Sequence, residues 1–345
     1  MAKIRKAVTM SDIAKRMDVS TVTVSKALSG QKGVSEEVRE QIIALAREMG
    51  YKMPRGKEEN DGKESFRIGV LMPSSALATF DSFYWRLYQA VSEKAMEKNC
   101  FTGYESLSEE AIAQRILPRL ITDKMVDGLI VIGRPEKGYA DFLKERAGMP
   151  LVFLDFYDAS LDVDCFISDS FYGTYLLTRY LQSKGHQKIA FVGTLYATES
   201  ITDRYLGFQK AMMEKGLEIP KDYQIPDRGV EGGTSENYLE FAFPKKMPTA
   251  FVCNCDFTAG LLIKQLKAKG LRVPEDVSVT GFDNYPPERE LGAAVTTYAV
   301  DLQAMASAAL KSLMKQMKGE RVKLGIHVIE GTLIEKESVA TIANA

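Results

Sequence analysis

Histidine and tryptophan are nearly missing from this 345-residue chain, which has two of the first and one of the second. With only His186 and His327 to draw on, imidazole-based proton transfer and His-rich metal sites have little material. Cysteine is scarce as well. Four cysteines at irregular spacing exclude a disulfide framework and point to a reducing compartment. Cys253 and Cys255 stand without further Cys or His at zinc spacing, so they read as packing. No apolar run approaches the ~18 residues of a membrane span. The basic start of the chain is not followed by an apolar signal core. A cytoplasmic protein without membrane contact is the expectation. No Gly-x-Ser-x-Gly elbow, Walker loop or dinucleotide fingerprint occurs. An enzyme is therefore disfavoured, and no catalytic residue, cofactor or metal is assigned.

Net charge is also low, at −1, but it is unevenly spread. Residues 1–57 hold 12 Lys and Arg against 6 Asp and Glu. A basic head on an acidic body suits a polyanion at one end only.

Within that head, Val8 to Ser29 reads as two short helices around a tight turn at Asp18 and Val19. Ser11 is the expected cap of a helix over 10–17, and Ser20 of the next. Ile13, Ala14 and Met17 share one face, and Val24, Ala27 and Leu28 another. Thr21, Val22, Thr23, Ser25 and Lys26 are left facing outward. Ser35 opens a third helix with a stripe of Val38, Ile42, Leu45 and Met49, ended by Gly50. Such stripes alone fit any small helical bundle. The short, hydroxyl-rich, cationic outer face favours a helix-turn-helix lying in the major groove, with hydroxyls on phosphates and Lys26 on a phosphate or guanine.

From Phe66 onward, apolar runs alternate with helical stretches. Strands are expected at 68–72, 128–132, 151–154, 189–192, 250–253 and 277–281, and helices at 83–98, 108–122, 173–184, 203–215 and 257–269. That rhythm predicts a doubly wound parallel sheet, run twice. The expected fold class is thus α/β, a small all-α helix-turn-helix head plus a two-subdomain doubly wound body. Ligands of such sheets sit beyond the carboxyl ends of strands. Asp155, Asn254, Asp256 and Asp283 fall there, and Arg204 is placed at a helix start. Carboxylates that accept hydroxyl hydrogen bonds and a guanidinium that donates suit a polyhydroxyl ligand. Each Asp could equally cap a helix or turn. Phe83 and Tyr84, before Trp85, open the first body helix and could stack on a sugar ring or simply pack. His186 reads as a surface or turn residue.

The run from Ser11 to Gly30, with Val34-Ser35 and Met49-Gly50-Tyr51, resembles the head of the lactose-repressor/galactose-repressor (LacI/GalR) family. The resemblance continues through Gly185-His186, Arg204-Tyr-Leu-Gly-Phe208, the segment from Val273 to Asn284, Val295-Thr-Thr and the segment from Leu333 to Ser338. It implies that Thr21, Val22 and Lys26 read bases, that Thr9, Ser20, Thr23 and Ser25 hold the backbone, and that Asp155, Arg204 and Asp283 contact an effector. The body shared with periplasmic-type solute-binding proteins is implied too. The division expected is a head over 1–51, a linker over 52–65, one effector subdomain over 66–166 and 302–330, and a second over 167–301 and 331–345.

Two departures from the family pattern stand out. Cys255 replaces an Asn that often contacts ligand, and Asn254 stands one place earlier. In the linker, Lys57 and Asn60 occupy the positions of the family's hinge Ala and wedge Leu, and Gly56 weakens a helix. The linker is expected to stay unwound and not to kink DNA. The resulting expectation is a repressor that binds a pseudo-palindromic duplex operator as a homodimer and is controlled by a small-molecule effector. Three acidic positions favour a neutral sugar. A nucleobase or a phosphorylated partner protein are the alternatives. A solute-binding protein is the rival class, disfavoured by the basic helical head.

Overall fold

A computed structural model of the chain describes residues 8–28, 31–49, 51, 65–74, 83–136, 138–158, 160–228, 240–285 and 293–342. The chain divides into two compact units, Met1–Glu64 and Ser65–Ala345. Most of the linker, with Gly56, Lys57 and Asn60, lies outside the described residues, as does Gly50.

The head unit holds α1 (Met10–Met17), α2 (Thr21–Leu28) and α3 (Glu36–Glu48). The cap of α1 is not Ser11, which lies inside the first turn. Thr9 and Asp12 form a capping box in which the Asp12 carboxylate accepts from the Thr9 N–H at 2.8 Å and its hydroxyl at 2.7 Å. Asp18 leaves α1 in the left-handed conformation with φ 54°, which Asp tolerates better than most residues. Ser20 caps α2 as expected, its Oγ accepting from the Thr23 N–H at 3.0 Å. Ile13, Ala14, Val24, Ala27, Ile42 and Ala46 close a small core. Burial of Ile13 and Ile42 contributes on the order of 2 kcal/mol each.

The body is built on two parallel sheets. The first has the order β11-β5-β4-β3-β1-β2, from β1 (Arg67–Pro73), β2 (Phe101–Leu107), β3 (Gly128–Ile132), β4 (Leu151–Leu154), β5 (Asp164–Ser168) and β11 (Ile326–Ile329). The second has the order β7-β6-β8-β9, from β6 (Ile189–Val192), β7 (Gln224–Ile225), β8 (Ala250–Cys253) and β9 (Ser278–Thr280). Both are covered on two faces, which is why the inner strands β3, β4, β6 and β8 read as unbroken apolar runs. Ile130 and Ile132 pack under α4 (Phe83–Glu97) and α11 (Leu302–Met317), while Leu129 and Val131 face the opposite core with α7 (Tyr139–Arg146). In the second lobe, Ala190 and Val192 face α10 (Asp256–Ala268), and Ile189 and Phe191 face α8 (Ser170–Ser183) and α9 (Glu199–Glu214). An antiparallel pair, β10 (Thr297–Ala299) with β12 (Thr332–Ile334), completes the second lobe. Among the described residues the chain passes between lobes from β5 to α8, from β10 to α11, and from β11 to β12.

Four sequence-derived strands, 128–132, 151–154, 189–192 and 250–253, coincide with β3, β4, β6 and β8. The helix expected over 108–122 is broken into α5 (Glu109–Ala113) and α6 (Arg119–Thr122). Pro118 lacks an N–H and drives Leu117 out of the helical region.

Candidate DNA-binding face and effector site

On α2 the inward and outward sides separate cleanly. Val24 and Ala27 are buried, whereas Thr21 and Ser25 are exposed and Val22 is 61% exposed. Thr23 and Lys26 are half-buried. A valine so open to water, flanked by hydroxyls, is costly on a solvated helix and useful against a base-pair edge such as a thymine methyl. Thr9, Ser20 and Thr23 are already engaged in the two caps. They therefore stand at helix N-termini, where backbone N–H groups and the helix dipole favour phosphate.

The second constellation forms where the lobes of the body meet. Asp155 follows β4 and Asp283 follows β9, both with positive φ, 64° and 92°. Non-glycine residues held there are strained, and such strain collects at ligand sites. Arg204 lies within α9, five residues past Glu199 and not at the helix start as expected. It is 6% exposed. Its Nη2 donates to Asp283 Oδ1 at 3.0 Å, its Nη1 donates to the Asn254 carbonyl at 2.5 Å, and its Cζ lies 3.8 Å over the Phe282 ring. Its Nε is buried and, among the described residues, has no partner. From the first lobe, Tyr84 faces Asp155, and the charges of Asp155, Asp283 and Arg204 all act on the Tyr84 hydroxyl. Gly133, at φ +72°, leaves room for the Tyr84 ring, because a Cβ there would sit 3.3 Å from it. Phe83 meets Tyr84 edge to face and packs on the first core.

Burial sets the electrostatics of this junction. It pushes Asp155 up to about 7, aided by the charge of Asp283 and opposed by Arg204 and the Tyr84 hydroxyl. Asp283 is raised for the same reason against the pull of Arg204. Burial also raises Tyr84, so it remains a hydrogen-bond donor.

Two expected ligand contacts have other duties. Asp256 is 1% exposed, and its Oδ2 accepts from the Tyr285 N–H and the Thr297 hydroxyl, both at 2.9 Å. It braces the loop behind Asp283. Gly281 is required there because a Cβ would overlap the Asp256 carboxylate. Asn254 is also 1% exposed and donates from Nδ2 to Asp227 Oδ2 at 2.7 Å, while its buried Oδ1 has no partner among the described residues. His186 is buried, not on the surface, with Nδ1 3.0 Å from Thr249 Oγ1 and Nε2 3.1 Å from the Ala340 carbonyl.

Asp227 and Arg228 are not legible as site residues in the sequence. They follow β7, whose two residues are too short to show a pattern. Burial opposes ionisation of Asp227, yet the bidentate Arg228 and the Asn254 and Thr194 donors hold it down at about 2. The ties between the lobes are not legible in the sequence either. Arg134, after β3, pairs with Glu199 of α9 and, at 3.1 Å, with Asp158. Arg86 of α4 lies 4.8 Å over the Tyr285 ring.

A helix-turn-helix unit joined to a two-lobed receptor defines a DNA-binding regulatory protein. The model for bacterial regulatory proteins of the lacI family matches residues 9–53, and that for the periplasmic binding protein-like domain matches residues 178–339. The HTH-type transcriptional repressor PurR of Shigella dysenteriae is 32% identical over 344 residues, covering 96% of this chain and 97% of its own length. A structure of the Lac repressor dimer bound to operator and the anti-inducer ONPF aligns with a TM-score of 0.70 at 22% identity, over 97% of this chain and 100% of that one. A transcriptional regulator CelR–cellobiose complex aligns at 0.66 and 19% identity, over 96% and 99% of the two chains. The chain belongs to the lacI family of bacterial regulatory proteins. Among the described residues no helix is long and apolar enough to cross a membrane.

Proposed function

We propose that this regulator is a repressor whose hold on a pseudo-palindromic operator is set by a polyhydroxylated small molecule, a sugar, held between its two lobes. Thr21, Val22 and Lys26 read bases, and Thr9, Ser20, Thr23 and Ser25 hold phosphates. Two copies of the chain place two heads on the two half-sites. Residues 66–166 with 302–330 form one effector lobe, and 167–301 with 331–345 the other.

One observation carries the effector site. Arg204 is buried between Asp283, Phe282 and Asn254 with an unpartnered Nε, opposite Asp155 and Tyr84 of the other lobe. An unsatisfied buried guanidinium N–H is costly, and a ligand oxygen relieves it. Acceptors and donors alternate at the junction, as vicinal hydroxyls require. The CelR–cellobiose neighbour supports a sugar in this fold. Selection of operator DNA by the intact protein, followed by fluorescence anisotropy with a sugar panel and a nucleobase panel, tests the reading. A sugar should change operator affinity in the parent protein and leave it unchanged in Asp283→Asn. A response to nucleobases alone would replace sugar with the alternative.

A further inference from the structure

The junction holds a second guanidinium whose chemistry the sugar reading does not use. Arg228 chelates Asp227 through Nε at 3.2 Å and Nη2 at 2.9 Å. The two residues differ sharply in exposure: the Asp227 side chain is 3% exposed and that of Arg228 30%. Asp227 is saturated, because the Thr194 N–H, the Asn254 amide and the Thr258 hydroxyl donate to it as well. It acts as a buried anchor that fixes the plane of the Arg228 fork. The Nη1 edge of the fork is engaged by none of these bonds. Asp227 binds the Asn254 amide, and the Asn254 carbonyl accepts from Arg204, so Arg228 borders the same junction as Arg204 and Asp283. Among the described residues, Asn254 Oδ1 and Arg204 Nε are buried and unpartnered.

A guanidinium held rigid by a carboxylate on one edge presents two parallel donors on another, the arrangement that recognises a second planar carboxylate. A neutral hydroxyl would use this edge poorly. The acidic character of the site is also weaker than the sequence implied. Asp256 is a brace behind the loop, Asp283 is neutralised by Arg204, and Asp155 sits near its neutral form at about 7. A single negative charge is tolerated near such a set. A dianionic phosphate would meet Asp155 and Asp283 with twice the repulsion.

We propose that Arg228 is a specificity-determining residue and that the effector is a sugar acid, its carboxylate on Arg228 and its hydroxyls on Asp155, Arg204 and Asp283. This rests on the sugar-site reading above. Isothermal titration of the full-length protein with D-glucuronate, D-galacturonate and D-gluconate, against D-glucose and D-galactose, tests it. At least one acid should bind about tenfold or more tightly than its neutral parent. Arg228→Gln should lose about tenfold or more in affinity for that acid with the neutral sugars unaffected, since a charged hydrogen bond carries about that factor. Arg228→Lys should keep part of it. Should Arg228→Gln unfold through its stranded Asp227, the Asp227→Asn/Arg228→Gln double variant removes the uncompensated charge and must show the same loss. Neutral sugars binding as tightly as acids, or an acid binding Arg228→Gln as it binds the parent, would overturn the inference while leaving the sugar site standing. Binding of no sugar of either kind would overturn the site and the inference together.

Discussion

Arg204→Met is the sharpest structural perturbation of the proposed site. Methionine fills much of the volume under which Phe282 lies, so the main change is electrical. The Arg204 and Asp283 side chains are 7% and 13% exposed and meet at 3.0 Å. Removing one member of such a pair leaves the other uncompensated in a poor solvent, which costs about 3–5 kcal/mol. The variant also strands the Asn254 carbonyl, which accepts from Nη1. Adding Asp283→Asn removes the orphaned charge, so the double variant should regain about 1–3 kcal/mol over the sum of the single changes. Urea unfolding followed by circular dichroism measures both quantities. The emission of Trp85, the single tryptophan, reports separately on the first lobe. If Arg204→Met fell within about 0.5 kcal/mol of the parent, as a surface change does, the pair would not be a buried, interdependent unit, and the geometry assigned to the junction would be wrong.

Other perturbations test separate parts of the account. Lys26→Ala should weaken operator binding by about 1–3 kcal/mol if Lys26 pairs with a base, or lower the salt slope by about one if it holds a phosphate. Unchanged anisotropy titrations across salt would remove Lys26 from the interface. Asp227, held at about 2, lies below its unfolded value, so its contribution is complete above about pH 4 and is lost as pH falls toward 2. That contribution is about 2 kcal/mol, and Asp227→Asn should flatten the acid limb of the stability curve. Asp155 has the opposite sign. Its value, raised to about 7, makes its contribution full below about pH 4 and lost as pH rises through 7. Asp155→Asn should therefore raise the melting temperature at pH 8 relative to the parent while abolishing the effector response. Gly281→Ala drives a methyl into the Asp256 carboxylate, so a thermal melt of this variant should drop by several degrees, whereas a melt like the parent's would remove the close approach.

Much of the fold is legible because both sheets are covered on two faces. Strands such as Leu151–Leu154 then read as short apolar blocks between helices. The edges are not legible. Strand β2 reads Phe-Thr-Gly-Tyr-Glu-Ser-Leu with mostly half-exposed residues, and β11 alternates exposed and half-buried ones. Neither offers a run, and each is fixed by pairing with a distant partner, β1 or β5. Within the proposed site, Asp155 and Asp283 are legible because each follows a visible strand. Asp256 shares that position but is turned away by bonds to Tyr285 and Thr297, contacts 29 and 41 residues off in sequence. Asp227 and Arg228 follow a strand too short to see, and the Arg134–Glu199 tie joins two lobes through residues whose neighbourhoods carry no pattern. The outer face of α2 was legible because helical spacing alone separates Val22 from Val24.

The most direct test of the account is thermodynamic reciprocity between its two ends. The dissociation constant of the selected operator is measured on the intact protein with and without saturating sugar acid, and that of the sugar acid with and without saturating operator. If the lobe junction and the head are linked through one equilibrium, the two ratios must be equal and both must differ from one, and both must collapse to one in Asp283→Asn. Ratios of one in the parent protein, with both ligands bound, would show two independent binding functions on one chain and would contradict the account.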